Sequence, residues 1–306
     1  MLARIRIALA AAVVAAGASG CGLGPGPGTA DVTLTVTRDF GSGQVATITR
    51  SKVPGSETVM RMLERSLRVR TRYGGGFVES IDGFSGTADR RDWFYYVNGI
   101  EAPVGAASTV VHRGDRIWWD LHDWSATESI PAVVGSFPEP FVHGIGGRRL
   151  PTTLECADDV ARACSQVTNA LDADGVPVAS QQLGTGSGSD SLGVVVGTWA
   201  DVRDELVASL IQRGPSLSGV YARFAGPGEL QLLDPRGRVV RALTAGAGLI
   251  AATAHYSSEP IWLITGTDPT GVLAAARALT PARLRDHFAL AVSGSSDMPL
   301  PLDGAT

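Results

Sequence analysis

Trp93-Phe94-Tyr95-Tyr96-Val97-Asn98-Gly99, answered further on by Gly114-Asp115-Arg116-Ile117-Trp118-Trp119, is the stretch on which the reading of this 306-residue chain turns. The whole chain holds six Trp, five Tyr and eight Phe, and six of these rings fall in the two segments. Both segments are short, aromatic and β-branched, one closed by Asn-Gly and the other opened by Gly-Asp, which predicts two strands bounded by tight turns. Alternation puts Trp93, Tyr95 and Val97 on one face and Phe94, Tyr96 and Asn98 on the other. One face can fill a core; the other is expected to leave rings near solvent. Trp118 and Trp119 are adjacent, so they cannot both point inward, and the outward ring is expected to meet a ligand or a partner.

Working outward, residues 31–38 alternate apolar and polar side chains as a half-buried strand does, Phe40-Gly41-Ser42-Gly43 reads as a turn, and 44–53 as the returning strand. A helix is expected after Pro54-Gly55, with Ser56 as its N-cap, Glu57 in its first turn, and Val59, Met60, Leu63 and Leu67 as its buried stripe. Its other face carries Arg61, Arg65 and Arg68, read as a solvated surface. Residues 77–83 form a third strand, 93–98 a fourth and 116–122 a fifth. A hairpin, one helix and further strands make an α+β order in which the helix covers one face of a curved sheet, a β-grasp-like arrangement.

This succession, with Thr58-Val59 near the helix start, Ile81-Asp82-Gly83, and the Trp-x-Tyr-Tyr-x-Asn-Gly segment followed by Gly-Asp, resembles the β-grasp domain at the C-terminus of transcobalamin and intrinsic factor, also found in bacterial surface proteins. The resemblance covers residues 31–124. It implies one face of a cobalamin or related corrinoid as ligand; the helical domain that takes the other face in the vitamin carriers has no counterpart here. Trp93, Tyr95, Tyr96, Asn98, Trp118 and Trp119 are the candidate ligand contacts.

The first twenty residues read separately. Arg4 and Arg6 precede an apolar run from Ile7 to Ala16 and the small residues Ala18-Ser19-Gly20, ending at Cys21. This resembles a bacterial lipoprotein signal, which implies that Cys21 becomes the lipidated N-terminus; an ordinary cleaved signal and a retained anchor are the alternatives, and all three export the chain. Residues 21–30, rich in Gly and Pro, are expected to be a tether. The formal net charge is −4 and no long basic run occurs, which argues against nucleic acid as a partner. With Cys21 carrying lipid, Cys156 and Cys164 remain as a candidate disulfide of an oxidising compartment, two buried thiols being the alternative.

A Pro-rich stretch, 131–140, places a boundary near Gly135 between a β-grasp domain (31–130) and a second domain (136–306). In the second, a strand at 152–156, a helix at 157–171, strands at 192–196, 219–224 and 261–265, a helix at 199–212, a hairpin at 229–243 and an Ala-rich helix at 271–279 alternate as in an α/β layer with a mixed sheet. A short helix from Pro281 and a strand at 289–292 follow, and no family is recognised in this half. Thr265-Gly266-Thr267-Asp268 leads from strand to helix, with Asp268 as N-cap and Pro269 at the first helical position, an anion held by the backbone N–H groups of the turn being the alternative. Asp120 and His122 share a strand face but lack a third ligand in view and are expected at an exposed strand end; no metal site, nucleophile elbow or carboxylate pair is read. The sequence therefore points to an extracytoplasmic, lipid-anchored binding protein without catalytic residues or a cofactor, capturing a small ligand. A structural or protein-interaction lipoprotein of the cell envelope is the alternative.

Overall fold

The computed structural model describes residues 31–86, 90–255 and 258–303; the expected signal segment, the lipidated Cys21 and the tether lie outside them. The chain is an α+β protein whose two halves each carry their own sheet.

The first half runs β1 (Val32–Arg38), β2 (Gly43–Arg50), α1 (Val59–Ser66), β3 (Val69–Arg72), β4 (Phe77–Ile81), β5 (Phe84–Ser85), β6 (Arg91–Val97), β7 (Ile100–Glu101) and β8 (Arg116–Asp123). Five of these form one sheet in the order β2-β1-β8-β6-β7, with β1 and β8 parallel at its centre and the other neighbours antiparallel. Val32, Leu34, Val36, Trp93, Ile117, Trp119 and Leu121 point to the α1 side, where Val59, Met60, Met62 and Leu63 close the core. This is the β-grasp-like arrangement expected from the sequence. The helix, however, starts two residues later than read. Thr58 is the N-cap, its hydroxyl accepting from Arg61 N at 3.3 Å, and Glu57 lies buried before the helix instead of in its first turn. Of the three arginines read on its solvated face, Arg61 and Arg65 lie on the helix but Arg68 lies beyond it, just before β3 (Val69–Arg72), which joins β4 and β5 in a small separate sheet.

The second half runs β9 (Thr152–Cys156), α2 (Ala161–Ala173), β10 (Val178–Gln182), β11 (Leu192–Thr198), α3 (Trp199–Val202), α4 (Leu206–Gln212), α5 (Pro215–Ser218), β12 (Ala222–Phe224), β13 (Leu230–Leu233), β14 (Val239–Leu243), β15 (Ala247–Thr253), β16 (Ile261–Gly266), α6 (Pro269–Ala278), α7 (Pro281–Leu284), β17 (Ala289–Ser293) and β18 (Ser296–Leu300). Seven strands make a mixed sheet in the order β10-β9-β11-β16-β15-β17-β18, parallel from β10 to β16 and antiparallel beyond. α2 and α6 pack on one face through Val160, Ala163, Val167, Leu171, Val272, Ala275 and Ala276. On the other face lie Trp199, Val207, Ile211 and the small β12-β13-β14 sheet. Asp268 caps α6 as read, its Oδ1 accepting from Gly271 N at 2.9 Å, with Pro269 at the first position. Cys156 and Cys164 form a disulfide, tying the end of β9 to α2 with a Cα–Cα distance of 6.2 Å. The long helix expected over 199–212 is two short ones, and β10, β15 and β18 had no counterpart in the sequence reading.

The link between the halves is hydrogen-bonded to both. Ala132 bridges Ile100, Val133 N donates to Gly99 O at 2.8 Å, and Val134 N then donates to Phe288 O at 3.2 Å. The prolines that mark the boundary in the sequence thus sit in a segment that extends the first sheet and then joins the second half.

Candidate functional site

The face of the first sheet opposite α1 carries Thr33, Thr35 and Thr37 from β1, Phe94 and Tyr96 from β6, and Arg116, Trp118, Asp120 and His122 from β8, as alternation requires. Part of this face is covered by the second half. Phe288 stands at the centre of the contact, with its ring centroid 5.0 Å from Trp118, 5.2 Å from Phe40, 5.3 Å from His122 and 5.6 Å from Tyr96, all edge-on. Tyr221 adds an edge contact to Phe40 at 5.2 Å. Edge-to-face geometry is the favoured aromatic packing, so this is a built interface.

Under these rings lies a polar chain that the sequence reading placed at an exposed strand end. Asp120 is fully buried, and its carboxylate accepts from Thr37 Oγ1 (2.6 Å), Gly41 N (2.9 Å) and Phe40 N (3.1 Å), with His122 Nδ1 at 2.9 Å. Trp118 Nε1 donates to Thr37 Oγ1 at 2.7 Å, and His122 is sandwiched between Phe40 and Phe94 at 4.7 and 4.5 Å. A buried carboxylate must be paired with donors or it is prohibitively costly, and here the turn after β1 folds back to supply two backbone N–H groups. The arrangement locks turn, strand and seam together; it presents no open coordination position. Among the described residues no group of three or more His, Cys, Asp or Glu side chains is placed to hold a metal ion.

The six ring and amide candidates divide by face. Trp93 and Trp119 are buried on the α1 side; Tyr95 stacks on Trp119 at 4.8 Å, its hydroxyl donating to Val104 O and lying 2.8 Å from Thr109 Oγ1. Tyr96 and Trp118 are buried on the seam side. The expectation that one of Trp118 and Trp119 meets solvent is therefore not met: they do point opposite ways, but the outward ring is covered by Phe288, and they are 2% and 3% exposed. Strand alternation fixes the side a ring points to; it cannot see a second sheet arriving from far along the chain. Asn98 is buried too, at positive φ in the turn between β6 and β7. Its Nδ2 donates to Asp115 Oδ1 and to Gly144 O, both at 2.9 Å, while its Oδ1 accepts from Arg116 N at 2.9 Å. Asp115 Oδ2 accepts in turn from His112 N at 2.7 Å. The Asn-Gly and Gly-Asp elements of the opening stretch are thus two halves of one clasp. Burial pushes the Asp115 carboxyl up, against the hydrogen bonds from His112 and Asn98. Burial, then Glu101, Asp120 and Tyr221, push the Tyr96 phenol well up; its hydroxyl and that of Tyr221 have no partner among the described residues.

Where the second half does not reach, a cleft of about 380 Å³ opens between the two. Its floor is Thr33, Thr35, Arg116, Ile117 and Trp118 of β1 and β8; Gln44 and Thr47 of β2 form one wall, and Gly135, Ser136, Arg285 and Asp286 the other. Arg116 Nη1 donates to Ser136 O and Phe137 O at 3.2 and 2.7 Å, which fixes the guanidinium at the base of the wall. Burial pushes the Asp286 carboxyl up, with Arg285 opposing. Of the sequence candidates only Trp118 reaches this cleft; the Thr, Gln and Arg residues around it were not singled out, and the signal that could have found them is the run of polar outward positions on β1. A second cleft of about 630 Å³ lies in the other half, lined by Glu155, Glu205, Glu259, His255 and the 186–189 loop. Glu155 is buried, with Oε2 accepting from Gly184 N at 3.0 Å; burial, then Glu155 and Asp204, push Glu205 up. This brings together two carboxylates that lie far apart in the sequence.

Residues 56–123 match a family described as a domain of unknown function, DUF4430. None of the curated proteins compared matches the chain. Among solved structures, the chain is similar to a protein from Ruminococcus gnavus ATCC 29149 described as a "putative metal binding protein" (18% identity, 31% of this chain and 97% of that one, TM-score 0.26). It is also similar to haptocorrin in complex with Cbi (19% identity, 30% of this chain and 25% of that one, TM-score 0.25). At these scores neither likeness bears on what this chain does. No helix among the described residues is long and apolar enough to cross a membrane.

Proposed function

We propose that this chain is an extracytoplasmic binding protein, held to the membrane through a lipid on Cys21, that captures a small ligand in the cleft between its halves without turning it over and without a cofactor. The observation that carries the reading is that cleft: about 380 Å³, with two arginines, a carboxylate and a row of threonines lining one space. Clefts of roughly 300 to 1,000 Å³ with a few convergent polar groups are the usual small-molecule sites. Support for the compartment comes from the Cys156–Cys164 disulfide, since such bonds persist in oxidising surroundings, and from the signal-like first twenty residues.

The sequence resemblance makes a corrinoid the first ligand to try. Stacking on the Tyr96 and Trp118 rings is closed to it, because Phe288 covers them; a corrinoid would lie across the cleft mouth against Thr33, Thr35 and Arg116. Titrating the full chain with cobalamin while following tryptophan fluorescence tests this: Trp118 floors the cleft, so occupancy quenches, and an unchanged spectrum with no retention on a corrinoid resin removes the vitamin from the reading. The burial of both Trp118 and Trp119 favours the second reading, an envelope interaction protein with no small ligand. Recovery of one stoichiometric envelope partner after cross-linking, together with a ligand-free cleft, would decide for it.

A further inference from the structure

We propose that the cleft is built for a small hydroxylated anion, of monosaccharide size and carrying a carboxylate or a phosphate; this rests on the capture reading above and names its ligand class. Charge comes first. Arg116 and Arg285 face the space against the single carboxylate of Asp286, so an anion is favoured and a cation is not. Arg116 is held in place by the Ser136 and Phe137 carbonyls, so it meets the ligand already oriented, and little rotamer freedom is lost on binding. Arg285 is exposed at the rim, where it can close on the same group.

Hydroxyl recognition comes from the floor. The sheet register puts Thr35 between Thr47 and Trp118, and Thr33 beside Arg116, so the polar outward positions of β1 and β2 run in rows across the cleft. The hydroxyls of Thr33 and Thr35 have no hydrogen-bond partner among the described residues, while Gln44 Nε2 donates to Thr47 Oγ1 at 3.0 Å. A hydroxyl both donates and accepts, so a row of them suits a polyol, whose own hydroxyls do the same. Asp286 supplies the strong acceptor. Trp118 is almost wholly covered, so the floor offers a flat ligand little ring surface to stack on.

Calorimetric titration of the full chain with four probes tests the assignment: gluconate, glycerol 3-phosphate, glucose and cyanocobalamin. Gluconate or glycerol 3-phosphate is expected to bind, and whichever does tells carboxylate from phosphate; glucose should give no heat. Arg285→Gln should weaken that binding by about tenfold, the loss of one charge-assisted contact, and raised salt should weaken the wild type in the same direction. Thr35→Val, which keeps the side-chain shape, should cost a few-fold with unchanged near-ultraviolet circular dichroism. Glucose binding as tightly as either anion, Arg285→Gln leaving the affinity unchanged, or cyanocobalamin binding alone would each overturn the anion class while leaving capture standing. No heat from any of the four with folded protein overturns both.

Discussion

Asn98 shows how a residue can be legible as a marker and opaque as to its role. Its place in a Tyr-Val-Asn-Gly segment predicts a tight turn, and the positive φ of Asn98 and Gly99 bears that out. What the segment does not reveal is that the amide reaches across to Asp115 and Gly144, both brought near only by the completed sheet. Asn98→Ala strands a buried Asp115 oxygen and the Gly144 carbonyl, and is expected to cost about 1–3 kcal/mol, read from the midpoint of urea unfolding. His287 offers a pH test. Burial holds its imidazole below the ordinary value of 6.5, partly offset by the Asp286 backbone and Asp297. The folded state therefore resists the proton: the stabilising contribution is complete above 6.5 and is lost as pH falls from there through the lower folded value. Between pH 7.5 and 5.5 the wild type should lose more Tm than His287→Gln, and equal losses would mean that the ring titrates as it does in the unfolded chain.

At the scale of elements, the strands that alternate or carry β-branched runs were legible: β1, β4, β6, β8, β9, β11 and β16 fall where periodicity puts them. Those that were not lack that signal for two reasons. β15, Ala-Gly-Leu-Ile-Ala-Ala-Thr, is entirely buried yet made mostly of small residues of low strand propensity. Its smallness is a packing requirement, because a Cβ on Gly248 would lie 2.2 Å from Gly271 O of α6. β10 and β3 are short, polar and largely exposed, so they lack the apolar signal altogether. The disulfide joins two elements that were both legible, and it closes a loop of eight residues by sequence separation. Loop-closure entropy for so short a ring gives about 2–3 kcal/mol, so reduction or Cys164→Ser should lower stability by that amount without altering far-ultraviolet circular dichroism.

At the scale of the molecule, one ring from the far end of the chain decides what the opening aromatic stretch is for. Phe288 touches Phe40, Tyr96, Trp118 and His122, and nothing local in either segment encodes that meeting. The two backbones also close directly: a Cβ on Gly41 would sit 1.8 Å from Asp286 O, and one on Gly135 would sit 2.7 Å from His287 N. Phe288→Ala is expected to cost about 3–5 kcal/mol and to split a single calorimetric unfolding transition into two, the sheets then melting separately. A single transition of unchanged midpoint in that variant would show the seam to be energetically silent. The candidate site follows the same division: its Trp118 floor was readable, whereas the wall from Gly135, Arg285 and Asp286 belongs to an encounter that only the fold creates.

The order of the strands sets a timetable for synthesis. β1 leaves the ribosome well before its parallel neighbour β8, which ends only at Asp123, and a lone hairpin of β1 and β2 is at best marginal in water. Once β8 arrives the sheet can close, but its outer rings then wait for Phe288, about 170 residues after Trp118. Throughout that interval the growing chain carries a bare aromatic surface, so its yield depends on what shields Phe40, Tyr96 and Trp118 before the last strands appear.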